Sequence, residues 1–165
     1  PALAYAADPD AGRPAPKERH HLHGQELRLD WSAFPADIQA MKAELDGLRE
    51  RQRAIFEQMK AQRDSIREAH RAMSAQERQA VESKAKAMIG KLRKSRDAIR
   101  SLRGEKHQSW EQFRQHTTAK QWNAAKADLK RIIENKKRIM AEQQAIVKVQ
   151  EDIAALFKAS GGKKG

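Results

Sequence analysis

Between Ile38 and Phe157 apolar side chains recur every three or four residues, and charged side chains fill most of the positions between them. That spacing lines one stripe of an α-helix and predicts heptad seams, whereas a strand would alternate every second residue. The first seam reads Ile38, Met41, Leu45, Leu48, Gln52, Ile55, Met59, Gln62, Ile66, Ala69 and Met73. It stops at Ser74-Ala75-Gln76-Glu77, a capping box in which hydroxyl and carboxylate are expected to satisfy each other's backbone donors as a new helix begins. The second seam reads Val81, Ala85, Met88, Leu92, Ser95, Ile99, Leu102, Lys106, Ser109, Phe113 and His116, and Thr117-Thr118-Ala119-Lys120-Gln121 offers the next cap. The third reads Trp122, Ala125, Leu129, Ile132, Lys136, Ile139, Gln143, Ile146, Gln150, Ile153 and Phe157.

The expected fold is therefore all-α, with three long antiparallel helices at about 35–74, 75–116 and 119–158. Each seam is long enough for a helix of about 54 Å. Folding the chain up-down-up puts Gln52 level with Leu102 and Lys136, and Met59 level with Ser95 and Gln143, so polar rungs meet apolar neighbours. Phe56, Ile89, Trp110, Ile133, Met140 and Val147 widen the stripe, as either a three-helix core or a dimer surface requires. The pattern leaves a coiled-coil-like bundle, a hairpin and a dimer open. Ser32-Ala33-Phe34-Pro35 offers an N-cap with proline in the first turn. Gly47, Gly90 and Gly104 lie inside helices, cost about 1 kcal/mol each relative to alanine, and are expected to mark local bends.

Four of the five prolines precede residue 31, which predicts a tail over 1–31, a helical domain over 32–158 and a second tail over 159–165. The chain begins at Pro1, and Ala2-Leu3-Ala4-Tyr5-Ala6-Ala7 reads like the small-residue end of a secretory signal at residues 1–7. Export is the expectation, with a cytoplasmic location left open. No apolar run approaches the roughly 20 residues of a membrane-spanning helix.

Charge changes this picture more than composition does. The 34 Lys+Arg against 22 Asp+Glu give +12, and the excess is uneven: +1 over residues 31–74, +7 over 75–121 and +5 over 122–165. In the antiparallel register Lys91, Arg93, Lys94, Arg96, Arg100 and Arg103 share a basic stripe with Lys130, Arg131, Lys137 and Arg138. Such a stripe attracts acidic proteins, nucleic acid or anionic cell-wall polymers; the competing reading is a merely solvated face. Trp110, Phe113 and Trp122 group at the second turn, where core packing explains them better than base stacking. His20-His21-Leu22-His23 places three imidazoles within reach of one Zn²⁺, Ni²⁺ or Cu²⁺ ion, yet without a fourth ligand it reads better as a solvated linker. His70, His107 and His116 are isolated along helices. There is no cysteine, Gly-rich phosphate loop or His-Glu-x-x-His, so a non-enzyme without an obligatory cofactor is expected.

Met73-Ser74-Ala75-Gln76-Glu77 resembles the Leu-Thr-x-x-Gln motif at a helix start in the Spy/CpxP family of exported helical proteins, with Met for Leu, Ser for Thr and Glu at the fifth position. One copy is present where the family usually shows two. The resemblance implies a thin curved bundle, often dimeric, that shields unfolding clients without ATP through a basic, partly apolar surface; in some relatives His-rich termini bind metal. The expected function is therefore an exported chaperone-like or envelope-stress-related protein, holding acidic or partly unfolded clients on its basic stripe and on exposed Met and Ile positions. The alternative is a structural, self-assembling coiled-coil protein or a polyanion binder.

Overall fold

The computed structural model describes residues 29–161. A 3-10 turn at Trp31–Ala33 is followed by helices α1 (Ala36–Arg71), α2 (Ala75–Thr118) and α3 (Trp122–Gly161), with no strand among the described residues. The all-α, three-helix expectation holds. The signal-like residues 1–7 and the candidate metal ligands His20, His21 and His23 lie outside the described residues.

The chain divides into two compact units, each drawing one segment from every helix. One contains described residues 53–98 and 141–161; the other contains 29–52 and 99–140. In the 29–52/99–140 unit, Ile38, Leu45, Leu48, Trp110, Phe113, Ala125, Leu129, Ile132 and Ile133 form one buried cluster. Its ion pairs fix the helix directions. Lys126 meets Asp37 at 2.7 Å and Lys137 meets Glu44 at 3.3 Å, so α1 and α3 run parallel. His116 meets Asp128, and Arg131 donates to Gln112 at 3.2 Å, so α2 runs against α3. In the 53–98/141–161 unit Ile55, Met59, Ile66, Val81, Leu92, Ile146, Ile153 and Phe157 are buried, and the ring of His70 on α1 lies 6.2 Å from that of Phe157 on α3.

None of the 33 seam positions is exposed. Several polar rungs are buried with the rest, Gln143 at 0% exposed, Gln150 at 3%, Lys136 at 6% and Gln52 and Ser109 at 7%, while Gln62, Ser95, Lys106 and His116 are half-buried. Heptad position, rather than residue type, decided which side chains went inside. Every described Ile, Leu, Val, Met, Phe and Trp is buried or half-buried, and the exposed apolar side chains are alanines. The expectation of exposed Ile positions is therefore corrected, since every described Ile is buried, whereas Met41, Met88 and Met140 are half-buried. Each unit covers these residues with its own three helix segments.

The helix ends differ from expectation for local reasons. α1 stops at Arg71 rather than near residue 74, and the guanidinium of Arg78 donates to the freed carbonyls of His70 and Arg71. The Ser74 hydroxyl accepts the Glu77 backbone N–H at 3.2 Å as a capping box requires, but the Glu77 carboxylate accepts from that same hydroxyl at 3.1 Å. α2 runs to Thr118, two residues beyond expectation, and α3 starts at Trp122 rather than 119. The intervening turn is a Schellman motif: Gln121 N–H donates to the His116 carbonyl at 2.8 Å and Lys120 N–H to Thr117 at 3.1 Å. Lys120, at its left-handed position, has φ 57°. α3 continues through residues 159–161, where the sequence predicts a tail, and the Ser160 hydroxyl donates to the Leu156 carbonyl.

At the other end Ser32 does not cap α1. It belongs to the 3-10 turn, whose cap is Asp30, and the Pro35 carbonyl accepts the Gln39 N–H at 3.1 Å. Trp31, placed in the tail by sequence, stacks on Phe113 with centroids 5.4 Å apart, and Phe34 packs against Phe113 and Trp122. Five aromatic rings thus close this end of the core, which explains why Trp110, Phe113 and Trp122 cluster. The helices pass uninterrupted through Gly47, Gly90 and Gly104, and no helix is long and apolar enough to cross a membrane.

Candidate anion-binding surface

The sequence-predicted basic residues separate between the two units. Lys91, Arg93, Lys94 and Arg96 lie in the 53–98/141–161 unit; Arg100, Arg103, Lys130, Arg131, Lys137 and Arg138 lie in the other. Arg96 and Arg103 are half-buried and the other eight are exposed.

Within the 29–52/99–140 unit the cations do not share one face. Arg131 leans toward α2, donating to Gln112 and lying 3.7 Å from Asp128, whereas Lys137 leans toward α1 and Glu44. Arg138 is one heptad after Arg131 and takes its side of α3. Arg103 precedes Gln112 by about two and a half turns and so points to the opposite side of α2. The single stripe expected for α2 and α3 is thus corrected here. Charge counts along a sequence carry no azimuth, and carboxylates on α1 and α3 draw individual cations to different flanks.

The 53–98/141–161 unit presents a denser arrangement. From Ser83 to Arg96 the helix reads Ser-Lys-Ala-Lys-Ala-Met-Ile-Gly-Lys-Leu-Arg-Lys-Ser-Arg, six cations with no carboxylate between Glu82 and Asp97. Ala85, Ile89 and Leu92 are buried and turn the intervening lysines outward. Lys84, Lys86, Lys91 and Lys94 are exposed and, among the described residues, meet no hydrogen-bond or ion-pair partner. Elsewhere carboxylates engage the cations beside them: Lys42 and Arg49 share Asp46, Arg63 meets Asp64, Arg114 meets Glu111 and Lys148 meets Asp152. Lys84 and Lys86 were absent from the expected site. Their signal was the missing acid, rather than the number of bases.

One titratable pair invites a catalytic reading. The carboxylate of Asp128, 1% exposed, meets Nδ1 of half-buried His116 beside Thr117 and Thr118. Both threonine hydroxyls donate to the Arg114 carbonyl, at 3.0 and 2.8 Å, which assigns them to ending the helix. The pair joins α2 to α3. His70 likewise lies 3.9 Å from Glu82, linking α1 to α2. Across α1 and α3, the Lys126 ammonium donates to Asp37; that hydrogen bond, aided by the Ile38 backbone N–H and the ammonium's charge, holds the Asp37 carboxyl below its ordinary value despite partial desolvation. No group of three or more His, Asp or Glu side chains is placed to hold a metal among the described residues.

No family model, curated protein or solved structure matches this chain.

Proposed function

We propose that this protein is a non-enzymatic helical protein that binds anionic macromolecules by surface charge. The observation that carries the reading is the separation of its two kinds of surface. Large apolar side chains are buried or half-buried, while the lysines of an acid-free run of cations on α2 are exposed. An interaction made without apolar burial draws its free energy chiefly from releasing counterions, and that source is largest for polyanions of high linear charge density.

Purified full-length protein titrated with duplex DNA, poly(glycerol phosphate) and polyglutamate over a range of salt concentrations tests it. The expected result is binding to at least one polymer with a linear fall of log affinity against log salt. Absence of binding, or affinity indifferent to salt, refutes the reading.

Client holding, the function implied by the resemblance to Spy/CpxP proteins, would use the same lysines for acidic stretches of an unfolding chain. It ranks second because it also calls on apolar contact, for which the described surface offers alanines. Suppression of client aggregation that persists in high salt would reverse this order.

A further inference from the structure

Lys84, Lys91 and Lys94 lie within about 80° of one another around α2 and span about 15 Å along it at the helical rise, and all three are exposed, whereas Lys86, two residues from Lys84, takes the opposite flank of buried Ala85. We propose that this face, within the 53–98/141–161 unit, is a sequence-independent binding site for the phosphate backbone of double-stranded nucleic acid. The proposal rests on the polyanion-binding reading and names its site and partner.

The occupant follows from what the face has and lacks. Its charges are lysine ammoniums, compact donors that meet phosphates as point charges without the fixed fork of a bidentate contact. The buried row of Ala85, Ile89 and Leu92 leaves no large apolar side chain on the outside that would favour a folded or unfolding protein. Every described tryptophan and phenylalanine is buried or half-buried, and seven ring contacts involve these side chains, so unpaired bases find no exposed stacking platform. That favours a duplex, whose bases are already stacked, over a single strand. Duplex nucleic acid carries about one charge per 1.7 Å, so several phosphates fit within the reach of the Lys84, Lys91 and Lys94 ammoniums.

Three lysine–phosphate contacts give a salt slope of about −2.7, equivalent to a roughly 40-fold loss of affinity when salt rises fourfold. The test compares full-length wild type with Lys84→Gln/Lys91→Gln/Lys94→Gln. A control of equal charge, Lys60→Gln/Arg67→Gln/Lys158→Gln, removes exposed cations elsewhere in the same unit. Circular dichroism and unfolding midpoints establish that both variants keep the wild-type fold; if the triple variant does not, the single Lys91→Gln and Lys94→Gln variants replace it, each expected to lower the slope by about one. The expected result is a slope reduced by about two to three units, about one per lysine, in the α2 variant, a much smaller change in the control, and no preference between duplex sequences.

Equal losses in the two variants would overturn the site and leave the broader polyanion reading standing. Failure of wild type to bind any of the three polymers would remove both. Tighter binding to poly(glycerol phosphate) than to duplex at equal phosphate concentration, or to polyglutamate at equal charge, would overturn the assignment to nucleic acid.

Discussion

The carboxylate of Asp128, on the first turns of α3, is buried against the imidazole of His116 in the last turn of α2. Arg131 lies farther from it, at 3.7 Å, so His116 supplies the close contact. A buried carboxylate that loses such a partner retains its desolvation cost without the compensating interaction. His116→Ala is expected to destabilise the protein by about 2–4 kcal/mol, measured as a fall in the denaturant midpoint. Replacing both residues with leucine should recover much of that loss. A double variant as unstable as the single one would show that the pair contributes through something other than its charge.

The turn that brings these residues together contains a lysine where glycine would fit with less strain. Lys120 holds φ 57° at the left-handed position of the Schellman motif, and its side chain is exposed. A Cβ in this region costs about 1 kcal/mol or more. Lys120→Gly is therefore expected to raise the melting temperature by about 3 °C, after allowing for the extra freedom glycine gives the unfolded chain. Lys120→Ala retains the Cβ and should show no such gain. Equal stabilisation by both variants would point to relief of charge rather than of backbone strain.

The same turn shows where the sequence was informative and where it was not. Gln143 and Lys136 could be placed inside because each occupies a rung of an otherwise apolar seam, and helical geometry fixes that side whatever the residue. Lys120 gave no warning, since neither glycine nor asparagine marks the left-handed position. Trp31 and Phe34 were hidden for a different reason. They form a short irregular turn before α1, where two aromatic residues have no period to reveal them, yet they cover Phe113. For the candidate site, the cationic character of α2 was visible, but its division among flanks was not. Arg131 and Lys137 are six residues apart, about 120° around a helix, and only their contacts with Gln112 and Glu44 show the two sides they take.

Asp37 gives a pH dependence whose sign follows from its folded-state shift. The Lys126 hydrogen bond lowers the carboxyl below its ordinary value of 3.8, so the folded protein binds this proton less readily than the unfolded chain does. The resulting stabilisation is present above the ordinary carboxylate range and is lost as pH falls through the folded value. Wild type should therefore exceed Asp37→Asn in stability near neutral pH, with the difference shrinking as acid protonates the carboxyl. Added salt should narrow it too, because both side chains are substantially exposed. Denaturant unfolding of both proteins at several pH values provides the measurement; a difference that widened in acid would contradict this assignment.

Gly47 and Gly90 test whether the helix interiors need flexibility. α1 and α2 continue through both, and a Cβ at either position would meet nothing within 4 Å. With neither a close contact nor a left-handed backbone to require glycine, its main local effect is the entropy it leaves to the unfolded chain. Alanine at each site should add about 1 kcal/mol of stability. The sites lie in different units, so the double variant should gain about the sum, roughly 2 kcal/mol. Gly90 also lies in the run of exposed lysines, which makes its substitution informative about binding. Gly90→Ala preserves every charge on that face and adds one methyl group, so duplex affinity and salt slope should match wild type while the unfolding midpoint rises. A stabilised variant with weakened binding would mean that the partner approaches the α2 backbone more closely than contact through long lysine side chains requires.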